Sequence, residues 1–348
     1  VEAKVVKEFA IKFGYSQLDS DGVFATGGNE ANQTAVLCAL NNKYPNYACD
    51  GLFGVTKRPI IFCSEEAHHS VHKAAKTAGL GYECVISIPV DDKLKLETKL
   101  LEKEIQAVIA SGHDPLMVVG TAGTTGAGTI DDLVRIGEIS KMYNIWFHVD
   151  AAYGGGAILS TKLKKKIKGI ELSNSITFDA HKWMSIPMGA SIFLTSNPHI
   201  LTQTFSISTE YMPKDADGLE IVDPFSHSIQ WSRRFVGLKV YLSLLFYGWD
   251  GYDQVISNQS VMGDLLRQKL INNGWSIMNN SALPVVCFMD EKYSSDINFT
   301  KVILERVYQK SQSWISVYPI KNVNTFRACI SNYNTTEDDL DKLVCELN

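Results

Sequence analysis

From residue 59 onward, short apolar runs alternate with longer stretches of helical period. The runs PIIFCS (59–64), CVISIPV (84–90), PLMVVGT (115–121) and IWFHVDA (145–151) are separated by periodic stretches at 68–79, 96–111 and 131–143. Runs without polar alternation, joined by helix-length segments, predict βαβ units: a mostly parallel sheet buried on both faces by helices. Two more strands are expected at SITFDA (175–180) and ASIFLTS (190–196), with no long helix between them. Residues 204–228 are polar, broken by Gly and Pro, and lack a period, so they read as a long functional loop and a lid. An apolar-rich helix is expected over 231–247, then strands at LPVVCFM (283–289) and TFRACIS (325–331) in a smaller α/β unit. At about 150 residues per domain, the chain divides into a large domain, 1–238, and a small one, 239–348.

Composition narrows the partners. The 348 residues are 45% hydrophobic and 20% charged, enough for a sizeable core. Net charge is −5 and the sequence pI about 5.9, which leaves no basic field for a phosphate backbone, so nucleic acid is not an expected partner. Seven cysteines without a Cys-x-x-Cys pair read as buried thiols of a reducing, cytoplasmic compartment, neither a disulfide framework nor a zinc site. Mean hydropathy is −0.04 and the apolar runs are strand-sized, so neither a membrane span nor a secretion signal is expected within these residues. The run KLKKKIK (162–168) reads as a solvated helix face.

Ligands of open parallel sheets gather at the carboxyl ends of strands, and three unusual segments fall there. In TGGNEAN (26–32) two glycines and Asn29 open a helical run, and exposed N–H groups at a helix start suit a phosphate, although such a cap is also an ordinary way to begin a helix. Asp150 closes an apolar strand. It would need a cation or several donors there, or it caps the next helix; the small residues after it leave room for a flat ligand. Lys182 follows the next strand in FDAHKW (178–183), where an apolar setting can turn an amine into a nucleophile; the alternative is a snorkelling surface lysine. Together, an anion site, a strand-end carboxylate and a strand-end lysine are the parts that hold pyridoxal phosphate.

The motifs GGNEAN, EAHHS, HVDAAYGG, DAHKW and SRRFVGLK occur in the order found in the group II pyridoxal-phosphate decarboxylases, the family of aromatic-L-amino-acid and glutamate decarboxylases, and the resemblance spans essentially the whole chain. It implies a fold-type I enzyme that uses pyridoxal 5'-phosphate to convert an L-amino acid to a primary amine and carbon dioxide. By the resemblance, Lys182 carries the cofactor, Asp150 partners its ring nitrogen, Ala152 packs under the ring and His68 stacks over the other face. Gly28 and Asn29 match the phosphate positions, with Asn29 standing where many relatives have Ser. His181 matches the histidine beside the lysine, and Thr124 a threonine near the cofactor and the substrate carboxylate. Ser232 matches a residue that reaches the neighbouring subunit's phosphate, which implies a homodimer. Tyr211 matches the loop tyrosine that protonates the product, and Arg327 a small-domain arginine that holds the substrate carboxylate, or else forms a structural ion pair.

Three rivals share the scaffold. An aldehyde synthase is associated with loss of the loop tyrosine or the stacking histidine, and both Tyr211 and His68 are present. A sphingosine-phosphate-type lyase would want a hydrophobic anchor and other loop motifs. A truncated pseudo-enzyme acting as a binding protein is opposed by the intact Lys182, Asp150 and His68. Relatives begin with a further amino-terminal segment that wraps the partner subunit and shapes the substrate pocket; these residues begin at Val1 and reach the phosphate motif by residue 27, so that segment lies outside them.

Overall fold

The computed structural model describes residues 1–207, 223–296, 298–310 and 313–348. A seven-stranded sheet forms its centre: β1 (Asp21–Ala25), β2 (Pro59–Ser64), β3 (Val85–Ile88), β4 (Asp114–Thr121), β5 (Trp146–Asp150), β6 (Ser175–Asp179) and β7 (Ser191–Thr195). The spatial order is β1-β7-β6-β5-β4-β2-β3. Strands β2 to β6 are parallel to one another, whereas β7 runs against both β6 and β1. β2, β5, β6 and β7 are buried at every position, as uninterrupted apolar runs between two helical layers require.

The helices are α1 (Glu2–Lys12), α2 (Gly28–Lys43), α3 (Tyr47–Asp50), α4 (Ser70–Thr77), α5 (Thr98–Ala110), α6 (Leu133–Met142), α7 (Ile200–Phe205), α8 (Gly237–Asn272), α9 (Phe299–Lys310) and α10 (Glu337–Leu347). A second, antiparallel sheet of order β10-β11-β9-β8 joins β8 (Ser276–Ile277), β9 (Val285–Met289), β10 (Ser316–Ile320) and β11 (Val323–Cys329). It has its own core, in which Trp275 packs edge to face against both Phe288 and Phe326. α8 links the two cores and breaks at Gly248, whose φ of 63° and ψ of −178° interrupt the helix. Among the described residues no helix is long and apolar enough to cross a membrane.

Two departures from the sequence pattern share one cause. The helix expected from Trp231 begins at Gly237, and the amino-terminal stretch, where no element was expected, supplies α1 and β1. Glu2 accepts two hydrogen bonds from Arg233, at 2.9 and 2.6 Å, and one from the Gly237 amide at 2.8 Å. A carboxylate from another helix therefore caps α8 and draws the preceding arginine out of helical register, a long-range contact that local periodicity does not encode. α1 is in turn held by Phe9, whose ring lies 5.3 Å from Phe178 and 5.5 Å from Trp249.

The basic run at 162–168 forms a short 3-10 turn with its lysines exposed and Leu163 and Ile167 buried. Of the cysteines, 38, 63, 84 and 287 are buried, whereas Cys49 and Cys345 are exposed, so the expectation of buried thiols holds for only part of the set.

Candidate active site

The carboxyl ends of β4, β5 and β6 meet the start of α2 around a cavity of about 250 Å³, lined by Gly28, Asn29, His68, Asp150, Ala152 and Lys182 among others. Six of the residues singled out from sequence thus converge on one space. Strand register brings the ends together: Asp150 pairs with Thr121 of β4 and Thr177 of β6, and Asp179 ends β6 opposite Ser191.

Lys182 sits in the turn that leaves β6, where its amide donates to the Asp179 carbonyl at 3.0 Å. Its Nζ lies 3.1 Å from Asp179 Oδ2, so the amine is held over the cavity by a buried carboxylate. Asp179 also accepts from Ser191 Oγ at 2.5 Å, and His181 Nε2 is 3.7 Å away. His181 Nδ1 accepts the Ala190 amide at 3.2 Å, which fixes the ring behind the lysine.

The start of α2 faces the same carboxylate. Gly27 is the N-cap and offers no side-chain cap, so the first amides of the helix are left for other acceptors. A Cβ on Gly28 would come within 2.9 Å of Asp179 Oδ2, and one on Gly27 would meet nothing within 4 Å. The entry to this turn is tied down by Glu30, which accepts from Thr26 Oγ1 at 2.6 Å and from Gln230 Nε2 at 2.8 Å.

Asp150 is buried, accepts from Asn32 Nδ2 at 2.8 Å and from the Ala152 amide at 3.1 Å, and forms no ion pair among the described residues. Behind it His148 is fully enclosed, and burial pulls its imidazole down to about 4 despite the nearby Asp150 charge. Asn32, Ser70, His148, Thr177 and Asp179 carry this site, yet none was selected from the sequence. A signal for two of them was there: Asn32 is polar on the buried face of an apolar helix, and His148 lies on the same face of β5 as Asp150, two residues earlier.

Three expected residues lie elsewhere. Thr124 is turned away from the cavity, and its hydroxyl accepts the Thr129 amide at 3.0 Å; Thr125 lines the cavity instead. Arg327 borders an adjoining cavity of about 320 Å³ that also touches His68 and Thr125, and its Nε donates to the Gly126 carbonyl at 2.8 Å. In that cavity Tyr318 donates to Glu66. Ser232 lines a groove of about 840 Å³ with Thr26, Gly189, Arg234 and Lys239. Tyr211 and most of the expected lid lie outside the described residues.

These groups suit pyridoxal phosphate. A buried carboxylate with no cation partner among the described residues matches a protonated ring nitrogen, the side-chain-free turn at Gly27 and Gly28 leaves a cradle for a phosphate, and Lys182 presents an amine between them. The sheet order with its one reversed strand, and the lysine and aspartate at adjacent strand ends, define a fold-type I pyridoxal phosphate enzyme.

The family described as "Pyridoxal-dependent decarboxylase conserved domain" matches residues 3–290, and the chain belongs to it. It is 33% identical over 258 residues to an L-aspartate decarboxylase of Metarhizium robertsii, covering 74% of this chain and 51% of that protein, so it spans about half the length of that relative. It is 28% identical to the aromatic-L-amino-acid decarboxylase of Bacillus atrophaeus over 335 residues, covering 94% and 68% of the two chains. The crystal structure of mouse CSAD superposes with a TM-score of 0.92 at 26% identity, over 99% of this chain and 74% of that one.

Proposed function

We propose that the chain catalyses pyridoxal-phosphate-dependent decarboxylation of an L-amino acid, releasing a primary amine and carbon dioxide. The observation that supports this most is the convergence of the Lys182 amine, the unpaired Asp150 carboxylate and the start of α2 on one cavity. When bound, pyridoxal phosphate supplies an electron sink for the pair left behind as the carboxylate departs. Lys182 would carry it, with Asp179 holding Nζ in place and His181 bracing Asp179. Asp150 would retain the ring-nitrogen proton, kept oriented by Asn32 and the Ala152 amide. Ala152 and His68 would bound the two ring faces, and Gly28 and Asn29 would take the phosphate. Thr124 shapes the turn that presents Thr125, and Arg327, beside the cavity, would draw in the substrate carboxylate. Tyr211 is assigned the delivery of a proton to the product carbon, with His68 as the next candidate.

We also read the chain as one half of a cytoplasmic homodimer. Along the first half of α8 and the segment before it, Phe235, Leu242, Leu245 and Phe246 are exposed, and this apolar strip adjoins the groove that holds Ser232. Free thiols among the cysteines accord with a reducing compartment.

The test is to load the purified chain with pyridoxal phosphate and screen the proteinogenic amino acids, 2,4-diaminobutyrate and cysteine sulfinate, following carbon dioxide and amine together. Stoichiometric amine is expected. Carbon dioxide accompanied by aldehyde and hydrogen peroxide, or release from no substrate, would overturn the reading. Sedimentation at low and high protein concentration tests the dimer, which a fully active monomer refutes.

A further inference from the structure

One chain of hydrogen bonds runs through the buried layer behind the cavity and ends at the exposed ring of His68. Trp146 Nε1, which can only donate, lies 2.9 Å from Ser175 Oγ, and Ser175 Oγ lies 2.8 Å from His148 Nδ1. His148 Nε2 is 3.0 Å from Asn32 Oδ1, which also accepts from Thr177 Oγ1 at 2.7 Å. Asn32 Nδ2 reaches Asp150 Oδ2 and Ser70 Oγ, both at 2.8 Å. Ser70 Oγ lies 2.8 Å from His68 Nδ1, and the Ser70 amide points at that same nitrogen from 3.2 Å.

Chemistry dictates the direction of this chain. Carboxylate oxygens accept, so the side of Asn32 facing Asp150 is its NH₂ and the opposite side is its carbonyl. The carbonyl needs donors, which places the His148 proton on Nε2 and leaves Nδ1 to accept from Ser175. With an Asn32 hydrogen directed at Ser70 Oγ, the serine's own proton is free for His68. The Ser70 amide also donates toward His68 Nδ1, and a nitrogen facing two donors carries no proton of its own. Both hydrogens and both lone pairs of the Asn32 amide are thereby engaged, and Asn32, Ser70, His148, Ser175 and Thr177 are all buried. A buried polar network satisfied at this level favours one proton arrangement, because turning Asn32 over sets its carbonyl against Asp150 and moving the His148 proton to Nδ1 sets the Nε2 lone pair against the Asn32 carbonyl, with Thr177 Oγ1, 3.3 Å away, as the remaining donor there.

We propose that Asn32 is a positioning residue that, through Ser70, holds His68 in its Nε2–H tautomer while keeping Asp150 directed at the cavity. The ring thus turns its accepting nitrogen toward Ser70 and presents a donor to the space where substrate binds. With Nδ1 accepting, His68 can hold an anionic group of the substrate at its Nε2–H, or give up a proton there. The role of His68 toward substrate rests on the decarboxylase reading above; the proton placement does not.

The experiment is long-range ¹H–¹⁵N spectroscopy of the histidine-labelled chain loaded with pyridoxal phosphate. Both His68 and His148 are expected to show the Nε2–H pattern. Asn32→Asp, nearly isosteric, replaces the donor to Ser70 with an acceptor: the added acid proton lies between residue 32 and Asp150, Ser70 turns its own proton toward residue 32, and His68 Nδ1, left with only the Ser70 amide, gains Nδ1–H population while His148 stays as it was. Ser70→Ala cuts the link, and adding Asn32→Asp in that background should leave His68 unmoved. His68 as Nδ1–H in the parent overturns the inference. So does a His68 that ignores Asn32→Asp, or one that responds to it without the Ser70 hydroxyl. Turnover is not needed for any of these spectra, so an inactive chain with the expected tautomers refutes the decarboxylase reading alone.

Discussion

Replacing His148 with Gln and, separately, Asp131 with Asn should tilt the acid stability of the chain in opposite directions. Both groups are buried and both titrate far from their ordinary ranges. His148 is pulled by burial from 6.5 down to about 4. Burial pushes Asp131 from 3.8 up to about 6, although the Leu96 and Thr121 amides, each at 2.8 Å, favour its charged form. For His148 the folded state binds the proton more weakly than the unfolded state, so its contribution is complete above 6.5 and is lost as pH falls through about 4. For Asp131 the folded state binds the proton more tightly, so its contribution is complete below 3.8 and is lost as pH rises through about 6. At about 1.4 kcal/mol per pKa unit, each full swing is about 3 kcal/mol, of which about 2 kcal/mol falls between about pH 7 and about pH 4.5. In the parent the two slopes largely offset each other.

The variants separate them. His148→Gln keeps a donor for Asn32 and an acceptor for Ser175 but cannot titrate, so its deficit against the parent should shrink by about 2 kcal/mol on going from neutral pH to about 4.5. Asp131→Asn loses the low-pH gain, and its deficit should grow by a similar amount over the same range. Urea unfolding of parent and variants, followed by tryptophan fluorescence across that pH series, measures both. Curves that stay parallel to the parent for the two variants would refute the burial argument for these groups.

Lys182→Ala should abolish borohydride trapping of the cofactor on the chain, checked by intact mass; a persisting covalent adduct places the attachment elsewhere. Gly28→Ala puts a methyl 2.9 Å from the Asp179 carboxylate and 3.4 Å from Ala152 Cβ, and pyridoxal phosphate affinity in an equilibrium titration should fall about tenfold or more. Glu2→Ala leaves Arg233 unpaired and the start of α8 uncapped, with an expected loss of roughly 3 kcal/mol in denaturant titration. Tyr211→Phe should let carbon dioxide release continue while amine falls and aldehyde with hydrogen peroxide accumulates in air; amine at the parental rate would assign the proton to another group.

What could be read from the sequence was whatever a short window encodes. Uninterrupted apolar runs revealed the buried parallel strands, and the ends of those runs located Asp150 and Lys182, because a charged residue closing such a run has few other reasons to be there. The elements missed were fixed across distance: α1 and the start of α8 depend on Glu2 meeting Arg233, 231 residues apart. The same limit applied inside the site. Asn32, Ser70 and His148 come from α2, α4 and β5; Asn32 and His148 stand out as polar groups among apolar neighbours, but only strand register and helix packing bring all three behind Asp150. Thr124 and Thr125 show the finest grain of the problem, since of two adjacent threonines the second lines the cavity while the hydroxyl of the first is claimed by the Thr129 amide. Residues that would touch the cofactor are therefore legible when a strand end exposes them, whereas residues that orient those groups become visible only when their hydrogen-bond partners are known, and those partners decide which proton is available at the cavity.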